Sequence, residues 1–309
     1  MENIIEEMDN QSGTKRKCYQ KLLNETQQTP KTRQKIIEKI EEQLDKTILT
    51  FFTSFKFPVT IEDADAVIIE EVLQNTEFGR GGFALVLNSA GGSGLAAERI
   101  INICRAYSKN NFTVIIPNMA KSAATMISFG SDKIFMSATS ELGPIDPQIR
   151  IPEGDTYKVY SVHNIIRSYE QLFNDAVRSN GRLEPFLQQL DRYDARDIEE
   201  FKRAMELSES IAVKNLKKGM MKRYSEKTIK IKIKPFLTPL KTKSHGRPIF
   251  IDEAKKCGLT IESIDINSEL WCDIWELYIR SNYLMNIDCA KLIESKNDNY
   301  YASISIIEK

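Results

Sequence analysis

Between residues 82 and 137 short apolar runs alternate with stretches of helical period, and this alternation constrains the fold more than any other feature. "GFALVLNS" (82–89), "NFTVIIP" (111–117) and "KIFMS" (133–137) have strand length and almost no polar interruption. "GLAAERIINICRAYSKN" (94–110) places Ala97, Ile101, Cys104 and Tyr107 on one face, and "AATMISFGS" (123–131) opens a second helix. Continuous apolar strands separated by helices predict a parallel sheet covered on both faces, built from βαβ units. The reading extends outward from this block. "FFTSF" (51–55) reads as a short strand and "TIEDADAVIIEEVLQ" (60–74) as a capped helix with acids in its first turn. Residues 14–48 are polar and helix-forming, with a break at Thr29-Pro30. Helices are predicted over 161–180, 184–193, 197–221, 251–259 and 269–286, and a terminal strand over 300–307.

Composition removes several classes of function. Lys plus Arg and Asp plus Glu stand at 43 each, so no net charge draws the chain to nucleic acid or to an anionic membrane. The tract "KTIKIKIKPFLTPLKTKSHGRP" (227–248) is basic, but its Lys–Ile alternation reads as a half-exposed strand with a solvated face, and nothing aromatic interleaves it. Five scattered cysteines without a CxxC pair suggest neither disulfides nor a zinc site, which fits a reducing compartment. No window reads as a signal peptide or an integral membrane span, so a cytoplasmic location is the default expectation. In the helix 269–286, Trp271, Trp275 and Tyr278 fall on one side; they would serve equally as a self-association face or as core.

Three segments then fall at the same ends of the predicted strands, where open α/β sheets place their sites. "LNSAGGSG" (87–94) is a Gly-Gly turn that can open backbone N–H groups to a ligand. Ser122, in "MAKSAATMISFG" (119–130), stands at a strand-to-helix junction among small residues. "SELGPIDPQ" (140–148) is a stiff turn after the next strand. A serine at a helix N-terminus is most simply an N-cap, and a Gly-Gly turn can equally cradle a phosphate. Together they suit acyl transfer: Ser122 attacks a carbonyl, and the N–H groups of Gly92 and Ala123 stabilise the oxyanion.

The segment 84–148, through "LNSAGGSGLAAERI", "AKSAATMISFGSDKIFMS" and "SELGPIDPQ", resembles the ClpP-class peptidases of the Clp/crotonase superfamily. More narrowly it resembles the serine dehydrogenase proteinases, relatives of signal peptide peptidase A. "KSHGRPIFIDEAKKCGL" (243–259) is similar to the closing region of that family. The resemblance implies an α/β, ClpP/crotonase-like superhelix of stacked ββα turns, here with additional N- and C-terminal helices. It divides the chain into an N-terminal helical appendage (1–48), a peptidase domain (49–262) and a C-terminal extension (263–309). It implies Ser122 as nucleophile, Gly92 and Ala123 as oxyanion hole, a peptide or protein substrate and a homo-oligomer, with no cofactor and no metal; GxGxxG is absent from the sequence.

The base is where the sequence departs from its relatives. Where ClpP itself carries a histidine, this chain reads Asp146-Pro147. Where the lysine-using relatives carry their base, at the start of the next long helix, it has His163. An imidazole is suited to that task near neutral pH. His245, Lys158 and Lys121 are lesser candidates, and Asp146 would orient a histidine or pin its own turn. The leading expectation is a serine peptidase. Alternatives are a catalytically inactive ClpP-like peptide-binding or assembly protein, and a crotonase-like acyl-CoA enzyme.

Overall fold

The structure is a computed structural model that describes residues 17–25, 29–79, 81–109, 111–154, 156–179, 181–238, 246–287 and 289–303. In chain order, α1 (Cys18–Asn24) and α2 (Pro30–Leu44) precede β1 (Thr47–Thr53), α3 (Asp63–Gln74), β2 (Phe83–Asn88), α4 (Gly94–Tyr107) and β3 (Phe112–Ile116). Then come β4 (Met119–Ala120), α5 (Ala123–Phe129), β5 (Lys133–Met136), β6 (Glu141–Leu142), β7 (Gln148–Glu153) and β8 (Thr156–Ser161). A helical stretch follows: α6 (Val162–Arg178), α7 (Glu184–Leu190), α8 (Ala195–Lys218), α9 (Glu226–Lys232), α10 (Lys234–Leu237) and α11 (Ile251–Lys256). The chain closes with β9 (Ile261–Ser263), α12 (Glu269–Ile287), β10 (Cys289–Glu294) and β11 (Asn299–Ser303).

Seven strands form one sheet in the order β11-β10-β1-β2-β3-β5-β9. The five from β1 to β9 run parallel, and β10 and β11 join antiparallel at one edge. Every residue of β1, β2 and β3 is buried. Because side chains alternate between faces, each strand feeds two cores. Leu85, Leu87, Val114 and Ile116 pack with α3, α4 and α5 on one face. Ala84, Val86 and Ile115 pack with Ile36, Ile37 and Ile40 of α2 and with Trp271, Ile274 and Leu277 of α12 on the other. This two-sided covering is why the strands read as unbroken apolar runs. A short second layer, β4 paired parallel with β6, sits beyond the ends of β3 and β5 and carries the chain into the 120–148 region.

The first strand of the chain pairs with a strand near the end of the described residues. Residues 50–53 of β1 pair with residues 291–294 of β10. Trp271 and Tyr278 are buried inside the chain, and Tyr278 Oη accepts a hydrogen bond from Asn118 Nδ2 at 2.8 Å. The aromatic face of α12 is therefore core, the second of the two roles open to it. Beneath α2, Arg33 forms a bidentate pair with Glu294, Nε to Oε2 at 2.8 Å and Nη2 to Oε1 at 3.1 Å. Burial pushes the Glu294 carboxyl up, and Arg33 opposes that shift. Removing one partner of such a pair strands the other, so Arg33→Met is expected to destabilise the chain by about 3–5 kcal/mol. Urea unfolding followed by circular dichroism measures this; a loss below about 1 kcal/mol, the scale of an exposed pair, contradicts it.

The strands β9 and β10 are absent from the sequence reading and β1 begins earlier than expected, and two further regions differ from that reading. The described part of the tract 227–248 that carries the Lys–Ile alternation is helical: Ser225 accepts a hydrogen bond from Thr228 N–H and starts the helix α9. Ile229 and Ile233 are buried while Ile231 is exposed, so the alternating isoleucines include an i, i+4 pair that serves a helix as well as a strand. The stretch 239–245, which contains His245, lies outside the described residues, as do residues 304–307 of the expected terminal strand. The second difference is the β7–β8 hairpin, which the sequence reading left unassigned. It stands on the surface with Ile151, Tyr157 and Val159 exposed.

Candidate active site

The site is built where β2, β4 and α5 converge. Beyond β2, Ser89 N–H donates to Met119 O at 3.2 Å and Lys121 N–H donates to Ser89 O at 3.0 Å. These bonds lash the Gly-Gly turn to the segment that leads into α5. Ser89 Oγ accepts from Thr53 Oγ1 at 2.7 Å and from Gly91 N–H at 3.1 Å. Gly91 has φ 105° and passes so close to the nucleophile candidate that a β-carbon there would lie 2.6 Å from Ser122 Cβ. Only glycine meets both demands.

Gly92 makes a parallel bridge to Ile61. In it Ile61 N–H donates to Gly91 O at 2.9 Å and Ser93 N–H donates to Ile61 O at 2.8 Å. That pattern uses the polar groups on either side of Gly92, and among the described residues its own N–H has no acceptor. Ala123 is the first residue of α5 and so has no intrahelical acceptor. Its N–H also finds none elsewhere among the described residues, although Ala123 is fully buried. Buried N–H groups are nearly always paired. Only the Ala123 N–H belongs to a buried residue; Gly92 is exposed and lines the same cleft as Ser122.

Ser122 itself has φ 49° and ψ −119°, a backbone conformation that an L-residue with a β-carbon adopts only when its surroundings impose it. Those surroundings are explicit. Ser122 N–H donates to Pro144 O at 3.1 Å, and Ser122 O accepts from Met126 N–H at 3.0 Å. The hydroxyl does not cap the helix and makes no hydrogen bond among the described residues. It faces a cleft of about 770 Å³ lined by, among others, Gly91, Gly92, Met126, Ile145 and Leu207. The simple N-cap role is therefore not the one Ser122 plays, and the strained turn serves to hold a free hydroxyl at the cleft wall.

The candidate bases are placed as follows. Lys121 is not among the residues that line the cleft, and its ammonium pairs with Glu141. Lys158 lies on the exposed hairpin, beside Glu153 and the ring of Tyr160. Asp146 is buried in its turn and lines a second cleft, of about 330 Å³, together with His163. His163 is the second residue of α6, and its buried Nε2 has no hydrogen-bond partner among the described residues. Burial lowers its pKa from the usual imidazole value; Asp146 opposes that shift and Arg167 adds to it. No hydrogen bond joins His163 to Ser122. The two line neighbouring clefts whose shared wall includes Ile145 and Pro147. That wall is wired to both: Pro144 O holds Ser122 N–H and Pro147 O accepts from Val162 N–H at 3.0 Å. The sequence reading singled out Gly92 but passed over Gly91, whose clue was its place as the first glycine of the doublet, and over the carbonyl of Pro144, which no side-chain pattern could reveal.

A mostly parallel α/β sheet with a free serine at a strained strand-to-helix turn, flanked by glycines, is the arrangement expected of a ClpP-like protein. Comparison with known families bears this out: the pattern of the ClpP-like SDH-type serine proteinases matches residues 7–174. The match spans more than half of the chain, and the chain belongs to that family. Among individual proteins, it is similar to the uncharacterized protein MJ0137 of Methanocaldococcus jannaschii, 26% identical over 258 residues that cover 80% of this chain and 78% of that protein. It is also similar to a second uncharacterized protein of the same organism, MJ1495, 34% identical over 95 residues, 31% of each chain. Among the described residues no helix is long and apolar enough to cross a membrane.

Proposed function

We propose that the chain is a serine peptidase in which Ser122 Oγ attacks the scissile carbonyl of a peptide held in the 770 Å³ cleft. The observation that carries this reading is the unpaired Ser122 hydroxyl, fixed on a strained backbone between the free N–H groups of Gly92 and Ala123. Attack forms the Ser122–carbon bond, and the carbonyl oxygen takes negative charge that the two N–H dipoles receive. A base takes the hydroxyl proton and returns it to the leaving amine; water then attacks the acyl-enzyme by the same route. His163, whose pKa partial burial lowers, is the group suited to that task, and it lines the neighbouring cleft on the other side of Ile145 and Pro147. Rapid mixing with an unfolded, fluorescently labelled protein tests the reading: an initial burst of product is expected as acyl-enzyme accumulates, and no release of product above background contradicts it.

One observation favours a second reading. The absence of a hydrogen bond between Ser122 and His163 leaves a cleft that binds peptides without cutting them. Gly91→Ala separates the two. Its β-carbon would collide with Ser122 Cβ and with Lys121 O, displacing the hydroxyl and the oxyanion donors together. Hydrolysis is expected to fall by at least about 10²-fold, the scale of losing one oxyanion donor, while peptide binding to the outer cleft survives. A peptidase rate unchanged in Gly91→Ala argues against the Ser122 site as the seat of any hydrolysis.

We further propose that the chain self-associates through the hairpin arm. Ile151 and Tyr157 of the hairpin and Phe173 and Val177 of α6 are exposed apolar side chains, which suit burial against a second copy.

A further inference from the structure

The charges around the Ser122 cleft are of one sign. Among its lining residues the ionisable side chains are Lys56 and Arg150, and neither Asp nor Glu is present. The neighbouring cleft beyond Ile145 and Pro147 is mixed, with Asp146, Glu170, Glu206 and Glu209 facing Lys202 and Lys230. Although the chain has 43 acids and 43 bases, none of the described residues that line its candidate substrate cleft carries a carboxylate. The two cations are not equivalent. Lys56 Nζ donates to Asn286 O at 2.8 Å and sits 5.2 Å from the centre of the Phe57 ring. Arg150 projects from β7, opposite Val159 of β8, and both line the cleft. Arg33, Arg99, Arg196 and Arg280 each hold a carboxylate; among the described residues the guanidinium of Arg150 holds none. Ser93 and Gly94, at the N-terminus of α4, lie on the same cleft and add the positive end of a 14-residue helix.

We infer that the cleft selects peptides bearing a carboxylate, with the guanidinium of Arg150 as its receptor. This rests on the reading of the Ser122 cleft as the peptide site. A guanidinium presents a planar fork of donors that matches a carboxylate in a bidentate pair. Arg150 is exposed and outside the core, so its replacement leaves the fold intact. The carboxylate is that of an Asp or Glu side chain or of the peptide's own C-terminus.

Fluorescence anisotropy on the full chain carrying Ser122→Ala, which binds without turnover, tests the inference. Four peptides of one sequence are compared, with Glu or Gln at a single position and a free or amidated C-terminus. The peptide with a carboxylate is expected to bind on the order of tenfold more tightly than its neutral counterpart, as for a charge-assisted hydrogen bond at a partly exposed site. Arg150→Gln should remove that preference, Arg150→Lys should keep part of it, and added salt should shrink it. A preference lost with Glu→Gln assigns the side chain, and one lost on amidation assigns the C-terminus. Equal affinity for all four peptides, a preference that survives Arg150→Gln, or no binding of any of them overturns the inference. Because the readout is binding, a wild-type chain that fails to hydrolyse peptides but keeps the Arg150-dependent preference sinks the peptidase reading alone.

Discussion

Ser122→Ala is expected to lower peptide hydrolysis by roughly 10³–10⁶-fold, the range seen when a serine nucleophile is deleted and only binding and the oxyanion hole remain. The stability of the variant should match that of the parent. Ser122 Oγ makes no hydrogen bond within the described residues, so its loss removes no interaction from the fold, and the strained backbone is held by the carbonyl of Pro144 whatever the side chain. This pairing of a large kinetic effect with no thermal shift marks a nucleophile. An N-cap serine behaves in the opposite way, since its removal costs about 1 kcal/mol of stability and leaves turnover untouched. Steady-state hydrolysis and a thermal melt on the same preparation decide between the two, and retained hydrolysis in the variant contradicts the assignment.

The second large effect is expected at His163. As general base it should be worth roughly 10²–10⁴-fold in rate, so His163→Gln should lose activity on that scale while binding peptide as before. Its pH behaviour follows from its environment. Burial disfavours the imidazolium and lowers the pKa in the folded chain. The folded state therefore binds fewer protons than the unfolded one in the interval between the two pKa values. Stability that is fully present above the ordinary histidine pKa is lost as pH falls through that interval, whereas activity falls as pH drops through the lowered pKa of the folded chain, because a protonated ring cannot accept the Ser122 proton. The acid limb of kcat/KM should thus lie below the usual histidine range and be absent in His163→Gln. A limb that persists in the variant assigns the base to another group, His245 or a lysine, and a rate equal to the parent's removes His163 from the reaction.

Much of the fold was legible because the strands of this sheet are buried on both faces. "GFALVLNS", "NFTVIIP" and "KIFMS" have no solvent face to break their apolar runs, and all three are strands within a residue or so of their expected limits. The helix over 60–74 announced itself through its first-turn acids, and the structure closes a capping box between Glu62 and Asp65. Where the reading failed, periodicity was ambiguous or local sequence did not decide. Ile229, Ile231 and Ile233 satisfy a two-residue repeat, yet burial uses only the first and last. The hairpin of Gln148–Glu153 and Thr156–Ser161 carries exposed residues on both faces, so it lacks the alternation that betrays a half-buried strand.

At the site, the distinction between legible and illegible is chemical. Ser122 stands out by its neighbours: it is followed by two alanines and shares its cleft with a glycine doublet, all of them small. Backbone groups do not stand out. The carbonyl of Pro144 that fixes Ser122, and the bridge between Ile61 and Gly92 that leaves one N–H open, belong to residues whose identities carry no sign of those duties. The hydrogen bond that would join Ser122 to a base is likewise a matter of tertiary placement, because His163 reaches the site region only through the pairing of β7 with β8 and the bond from Val162 to Pro147.

Reaction of the intact chain with a fluorophosphonate, followed by mass spectrometry of its peptides, tests the central claim most directly. A phosphonyl adduct is expected on Ser122 at one equivalent per chain, blocked by prior unfolding and absent from Ser122→Ala. An adduct on another serine, or no adduct on the folded chain at any pH where His163 is neutral, contradicts the account.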